Sequence, residues 1–259
     1  MKMKSELEQI CDLVRACGQF IKDADRSQLH VDAKGGHANF VTEYDKQVQE
    51  RLRVGLREIM PDAHFVGEEG TTQAFAPTGK FFIVDPIDGT TNFIKDYHFS
   101  SISVALVVDN AAELGVIYNP YTDEMFCAQR GQGAFCNGKR LHVSSEPLEN
   151  AIIVFGTAPY HEELNEKTFS LAYSYFRKAL DIRRSGSAAL DLCMIAAGRA
   201  ELFFELVLSP WDYAAGALIV EEAGGLVSDC DGHPLVYDRP CSVLARNKTV
   251  QILNSETTR

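Results

Sequence analysis

The stretch Val84-Asp85-Pro86-Ile87-Asp88-Gly89-Thr90-Thr91-Asn92-Phe93 constrains this chain more than any other. It continues an apolar run, Phe81-Phe82-Ile83-Val84, that reads as a short buried strand. Pro86 has no backbone N–H and a fixed φ, so the strand is predicted to stop there. Gly89 permits a close backbone approach in the next turn. Asp85 and Asp88 can then face one pocket at a strand-to-helix junction. A helix beginning near Gly89 to Thr91 would present free amide N–H groups, which favour a phosphate.

The flanking sequence changes grammar along the chain. Leu7, Ile10, Cys11, Val14, Cys17 and Ile21 recur at helical spacing and predict an amphipathic helix over 5–24. A polar, turn-rich loop spans Lys34 to Asn39. Val48, Leu52, Leu56 and Ile59 predict a second helix over about 43–60, ended by Pro61-Asp62. Short strands at 81–84, 101–108, 113–118 and 125–128, broken at Asp109-Asn110 and Asn119-Pro120, predict an antiparallel sheet. Beyond about residue 145 strands and helices alternate: strands at 152–155, 201–204, 224–227 and 242–244, helices at 162–181, 187–197 and 212–223. That alternation predicts a layered α/β unit. We therefore expect an N-terminal α+β domain, 1–145, and a C-terminal α/β domain, 146–259, sharing an interface.

Composition excludes several classes. The chain has 259 residues, with 25 Lys plus Arg against 36 Asp plus Glu, a net charge of −11. Such a surface argues against nucleic acid or an anionic membrane as the main partner. No apolar run approaches the ~20 residues of a membrane span. Glu6, Glu8 and Asp12 interrupt any signal-peptide core. The 7 cysteines form no Cys-x-x-Cys and read as buried free thiols of a cytoplasmic protein. The sequon Asn247-Lys248-Thr249 is then accidental.

Two further acidic segments join the first. Gly67-Glu68-Glu69-Gly70 lies upstream and Trp211-Asp212-Tyr213-Ala214-Ala215-Gly216 downstream, with Asp212 at or near a helix start. Carboxylates gathered in one cleft repel each other, and hard divalent cations with oxygen ligands remove the problem. Two such ions drive in-line phosphoryl displacement. Taken singly, each segment also has a structural reading. Asp-x-x-Asp suits a surface turn, Gly-Glu-Glu-Gly an exposed acidic loop, and Asp212 a helix N-cap. His98, close after the first segment, reads as a packed or loop histidine.

Together these segments resemble the inositol monophosphatase family of Mg²⁺-dependent, lithium-sensitive phosphatases. Asp85 to Phe93 looks like its central motif. Trp211 to Gly216 with Glu222-Ala223-Gly224-Gly225 looks like its C-terminal one. Phe65 to Glu69 and Asn39 to Asp45 look like its two N-terminal elements. The resemblance implies a layered αβαβα sandwich of the sugar-phosphatase type, a homodimer, and two or three Mg²⁺ per active site. By the same resemblance, Glu68, Asp85 and the Ile87 carbonyl would bind one metal. Asp85, Asp88 and Asp212 would bind a second, and Glu68 would help hold a third through water. Thr90 would orient the attacking water, with its hydroxyl bonded to Asp45. The Gly89 and Thr90 amides would hold the phosphate, and Lys34 would lie in a loop near the metals.

The resemblance also bears on the ester. Thr91-Asn92-Phe93 looks like the inositol-phosphate type. Glu205 stands seven residues before Asp212, where those enzymes keep a glutamate on a ring hydroxyl. Gly186-Ser187-Ala188 matches a segment lining their sugar pocket, which Asp88 and Asp212 would also border. A carboxylate accepting from hydroxyls is a sensible polyol reader. Ser209-Pro210 and the loop 95–99 depart from the family pattern at the pocket rim and the dimer-facing surface. The expected substrate is inositol monophosphate or a related sugar or polyol phosphate monoester. The alternatives are 3′-phosphoadenosine 5′-phosphate, fructose 1,6-bisphosphate, or a protein-binding regulatory role with residual phosphatase activity.

Overall fold

The computed structural model describes residues 4–29, 31–33, 40–70 and 78–253. Lys34 and Asn39 lie outside the described residues. The chain runs α1 (Glu6–Lys22), β1 (Val31–Ala33), β2 (Phe40–Thr42), α2 (Glu43–Ile59), β3 (His64–Gly67), β4 (Lys80–Asp88) and α3 (Thr90–Ile94). Then follow β5 (Ser101–Val108), β6 (Ala111–Asn119), β7 (Glu124–Gln129), β8 (Gly133–Cys136) and β9 (Lys139–Arg140). The remainder is β10 (Ile152–Phe155), α4 (Asn165–Phe176), β11 (Asp181–Arg183), α5 (Ala188–Ala196), β12 (Leu202–Leu208), α6 (Pro210–Glu222), β13 (Leu226–Ser228) and β14 (Cys241–Arg246).

Strands β3 to β9 form a seven-stranded sheet in sequence order. Its pairs are antiparallel as expected, except that β3 runs parallel to β4. A five-stranded sheet has the order β11-β10-β12-β14-β13, with β10 parallel to both β11 and β12 and the β14 pairs antiparallel. A β1–β2 hairpin stands apart from both.

Alternation of side chains along the strands builds the layers. Phe82, Val84, Ile102, Val104 and Leu106 pack with Ile10, Val14, Val48 and Leu52 of α1 and α2. Their neighbours Phe81, Ile83, Ala105 and Val107 point the other way, onto α5 and α6. Those helices meet Val154, Phe203, Val243 and Ala245 from the inner face of the second sheet. Ile153, Phe155, Leu202, Phe204 and Leu244 turn outward to Ala172 and Tyr175 of α4. The result is five layers, α1/α2, sheet, α5/α6, sheet, α4. Each fully buried large side chain contributes about 1.5–3 kcal/mol. Helix α6 is buried from Tyr213 through Val220, because it is sandwiched between two sheets.

Two sequence expectations are corrected. The strand does not stop at Pro86 but continues to Asp88. The register slips by one residue between Asp85 (opposite Ser103) and Asp88 (opposite Ser101). A bulge tolerates the missing Pro86 donor and re-aims the two aspartates. The helix expected over 162–181 is a 3₁₀ turn at Glu162–Leu164 followed by α4, which ends at Phe176. Pairing of Asp181–Arg183 with β10 takes those residues out of the helix. Strands β1, β2, β3 and β11 are three or four residues long, too short for a periodic signal.

All seven cysteines are free thiols, three buried and four half-buried. Among the described residues no helix is long and apolar enough to cross a membrane. Asn247 of the sequon is fully buried, and its amide nitrogen donates to the Glu146 carbonyl at 2.9 Å.

Candidate active site

A cleft of about 490 Å³ opens where β4, α3, α5, β12 and the start of α6 converge. Glu68, Asp85, Ile87, Asp88, Gly89, Thr90, Gly186, Ser187, Ala188, Glu205 and Asp212 all line it. Asp45 is fully buried behind them, and Lys34 lies outside the described residues.

At one end sit the acidic groups. Asp85, Asp88 and Asp212 each place one oxygen within 4.8 Å of the others. Burial pushes the Asp85 carboxyl well above its usual range, and the nearby Glu68, Asp88 and Asp212 add to the effect. Asp212 is raised in the same way, by burial and then by Asp88 and Glu68. Asp88 is pushed up to about 6 by burial, while Ser187 and the Ala189 amide oppose the shift. Three carboxylates in mutual repulsion, two buried and one half-buried, all oxygen donors, fit a hard divalent cation.

Local structure explains how each group arrives there. Glu68 follows β3, and its amide donates to the Val84 carbonyl at 3.1 Å. Gln49 of α2 clasps the next residue through both atoms of its amide, to the Glu69 carbonyl (2.6 Å) and amide (2.8 Å). A Cβ on Gly67 would come within 2.2 Å of Gln49 Oε1, so a side chain there would displace the Gln49 amide from this clasp. The Ile87 amide donates to Asp85 Oδ1 at 3.0 Å, and the Ile87 carbonyl accepts from the Thr90 hydroxyl at 3.1 Å. Thr90 Oγ1 also lies 3.3 Å from Asp45 Oδ1. The other Asp45 oxygen caps α2, accepting from the Thr42 amide and hydroxyl. Gly89 has φ +86°, the left-handed turn that starts α3.

Asp212 is corrected from N-cap to third residue of α6. Ser209 is the N-cap and Pro210 the first helical residue, so this pair is a helix start. The Ser209 amide donates to Asp212 Oδ2 at 2.7 Å. Ser187 is the N-cap of α5, and its hydroxyl donates to Asp88 Oδ2. It is therefore engaged with a carboxylate as well as bordering the cleft. His98 is an exposed loop residue stacked on Tyr121, and it is absent from the cleft wall.

Glu205 stands on β12 in another part of the wall, only 7 % exposed. The Ala158 amide donates to its Oε1 at 2.8 Å. A Cβ on Gly156 would fall 1.8 Å from Oε2, so that glycine makes the carboxylate's room. Burial pushes Glu205 up to about 7, against the opposing Ala158 amide and Arg184 guanidinium. Tyr160, His161 and Arg184 complete this wall and were missed from the sequence. So was Asp191, which is buried in α5 and also lines the cleft. One signal could have found Asp191: it is the only charged residue in an apolar helix.

Comparisons with known proteins agree with this geometry. The family model described as "Inositol monophosphatase family" matches residues 2–258. Inositol monophosphatase 2 of Solanum lycopersicum is 38 % identical over 240 residues, covering 89 % of each chain. Nus factor SuhB of Salmonella typhimurium is 40 % identical over 199 residues, 76 % of this chain and 74 % of that one. The crystal structure of extragenic suppressor protein suhB from Bartonella henselae superposes with TM-score 0.87 and 34 % identity over 93 % of each chain. The layered fold, the clustered carboxylates and a family match over nearly the whole length lead to one conclusion: the chain belongs to the inositol monophosphatase family.

Proposed function

We propose that this protein hydrolyses the monophosphate ester of inositol, and of related sugars and polyols, in a reaction that requires Mg²⁺. The observation that carries the reading is one cleft with two chemically different regions. Asp85, Asp88 and Asp212 cluster beside the start of α3, and a buried Glu205 faces the same space.

Glu68, Asp85, Asp88, Asp212 and the Ile87 carbonyl would hold two or three Mg²⁺. When bound, Mg²⁺ supplies charge neutralisation on the phosphoryl oxygens and lowers the pKa of water. The chain's own residues do the positioning. The single Thr90 hydroxyl hydrogen has two acceptors in reach, the Ile87 carbonyl and Asp45. With the Ile87 carbonyl given to a metal it would go to Asp45, which leaves the hydroxyl lone pairs to accept from a water on the cleft side. Glu68 borders the same space and can accept that water's second hydrogen. The Gly89 and Thr90 amides at the start of α3 would bind phosphate oxygens. Glu205, with Oε1 held by Ala158, would accept from a ring hydroxyl of the leaving polyol. Gly186, Ser187 and Ala188 would close the pocket beside it.

In this reading residues 1–145 contribute most metal ligands, and 146–259 contribute Asp212 and the polyol wall. Seven free thiols support a reducing, cytoplasmic setting. Inhibition by Li⁺ belongs to the same reading, and so does a homodimer. Phe169, Tyr173 and Phe176 on one face of α4 are each more than half exposed, an apolar surface available for self-association. The relatives named Nus factor SuhB favour a second reading, a regulatory protein contact beside the enzymatic role.

The test is phosphate release with Mg²⁺ from inositol 1-phosphate, glycerol 2-phosphate, 2′-AMP, fructose 1,6-bisphosphate and 3′-phosphoadenosine 5′-phosphate. Inositol 1-phosphate is expected to be among the best substrates. A clear preference for either of the last two would overturn the substrate reading.

A further inference from the structure

Asp191 sits where a carboxylate is costly. It is 2 % exposed in α5, a helix otherwise made of Ala, Leu, Cys, Met and Ile. Burying a carboxylate without full compensation destabilises a fold, and an apolar residue would serve a core helix better. Its contacts indicate what the carboxylate does there. It accepts a hydrogen bond from the Ser185 hydroxyl, and its own amide donates to the Ser187 carbonyl at 3.0 Å. The second bond is the ordinary first-turn backbone bond of α5, so it is the hold on Ser185 that the carboxylate itself supplies, tying the start of the turn Ser185-Gly186-Ser187 to the helix that its other end caps.

That turn abuts the α3 side of the cleft. The Asn92 side-chain amide donates to the Ser185 carbonyl at 2.9 Å. The Gly186 carbonyl lies 3.0 Å from where a Cβ on Gly89 would stand. The Ser187 hydroxyl and the Ala189 amide (2.8 Å) both donate to one oxygen of Asp88, Oδ2. These two donors, with the neighbouring Ala188 amide, fix the orientation of the Asp88 carboxylate.

We propose that Asp191 is a positioning residue: by holding the Ser185 hydroxyl it fixes the turn Ser185–Ser187, aims the Ser187 hydroxyl at Asp88 and so orients the Asp88 carboxylate toward the metals. The inference rests on the reading of Asp88 as a metal ligand. Outer groups that orient a ligand typically change metal affinity 10- to 100-fold when removed.

The test uses Asp191→Ala, Ser185→Ala and the conservative Asp191→Asn, whose Oδ1 still accepts from the Ser185 hydroxyl. Two readouts are taken: the Mg²⁺ concentration giving half-maximal thermal stabilisation, and that giving half-maximal phosphate release. D191A and S185A are expected to raise both about tenfold, and D191N to restore them. A purely structural role would lower Tm in D191A and leave half-saturating Mg²⁺ unmoved, which overturns the proposal. Should D191A fail to fold, S185A deletes only one hydroxyl and decides alone. If D88N loses Mg²⁺ stabilisation while D191A and S185A keep it, only the brace falls. If D88N binds Mg²⁺ as tightly as the unsubstituted protein, the metal-ligand reading falls, and the brace with it.

Discussion

Two acidic residues show how burial changes what a carboxylate can do. Glu205 has an ordinary pKa of 4.5 and is pushed up to about 7 by burial. The folded chain therefore holds that proton more tightly than the unfolded chain between those values. Stability from this group is present below about pH 4.5 and is lost as pH rises through about 7, on the order of 3 kcal/mol at most. Glu205→Gln keeps an acceptor for the Ala158 amide and removes the ionisation. In chelator-treated protein, E205Q should gain stability over the unsubstituted chain between pH 5 and pH 8, measured by urea unfolding. Equal pH slopes would exclude Glu205 as the source. Asp88 is tested by chemistry: Asp88→Asn should cut Mg²⁺-dependent phosphate release roughly a hundredfold, because a ligand oxygen is exchanged for a weaker amide. Near-normal turnover would remove Asp88 from the ligand set. Both residues were picked out in the sequence by motif resemblance. Their cost, and the partners that hold them, were not visible there. Gly156 and Ala158 lie 47 or more residues from Glu205 along the chain.

Elements bring these residues together through close backbone approaches. Helix α6 presses on β6 so tightly that a Cβ on Gly115 would come within 2.8 Å of the Ala215 carbonyl oxygen. Backbone cannot swing aside as a side chain can, so Gly115→Ala should destabilise by about 1–3 kcal/mol. That corresponds to a Tm lower by roughly 2–4 °C per kcal/mol in a domain of this size. An unchanged Tm would mean that α6 shifts freely and Asp212 with it. The elements also show where local patterning misled. Pro86 predicts the end of a strand by its own chemistry. The bulge opposite Ser103–Ser101 lets the strand pass through, a fact that needs the partner strand. Ser209-Pro210 depart from the family pattern, yet they are ordinary start signals for α6. Conversely, α1, α2 and α5 were legible to within two residues, because their apolar spacing and caps are local.

At the scale of the molecule, most of the acidic excess lies on the surface, but a small part is gathered around one cleft, where Asp85 and Asp88 are buried and Asp212 half-buried. Asp85, Asp88 and Asp212 all have pKa values above the usual carboxylate range. Without cations the folded state therefore loses stability as pH rises from about 4 through their raised values. Added Mg²⁺ should raise Tm by several degrees at pH 8 and much less at pH 5, where protons already relieve the repulsion. EDTA should reverse the gain; the same Mg²⁺ response at both pH values would argue against binding at this trio. The sequence by itself determined the family and all the acidic groups of the cleft wall except Asp191. Those follow from local motifs, whose residue types are dictated by the chemistry of phosphate and cations. Only the tertiary structure decided how α6 delivers Asp212, what room Gly156 leaves for Glu205, and that Asp191 clamps the turn beside Asp88. Each depends on contacts between segments far apart in the chain, set by how two sheets and a buried pair of helices pack rather than by any neighbouring residue.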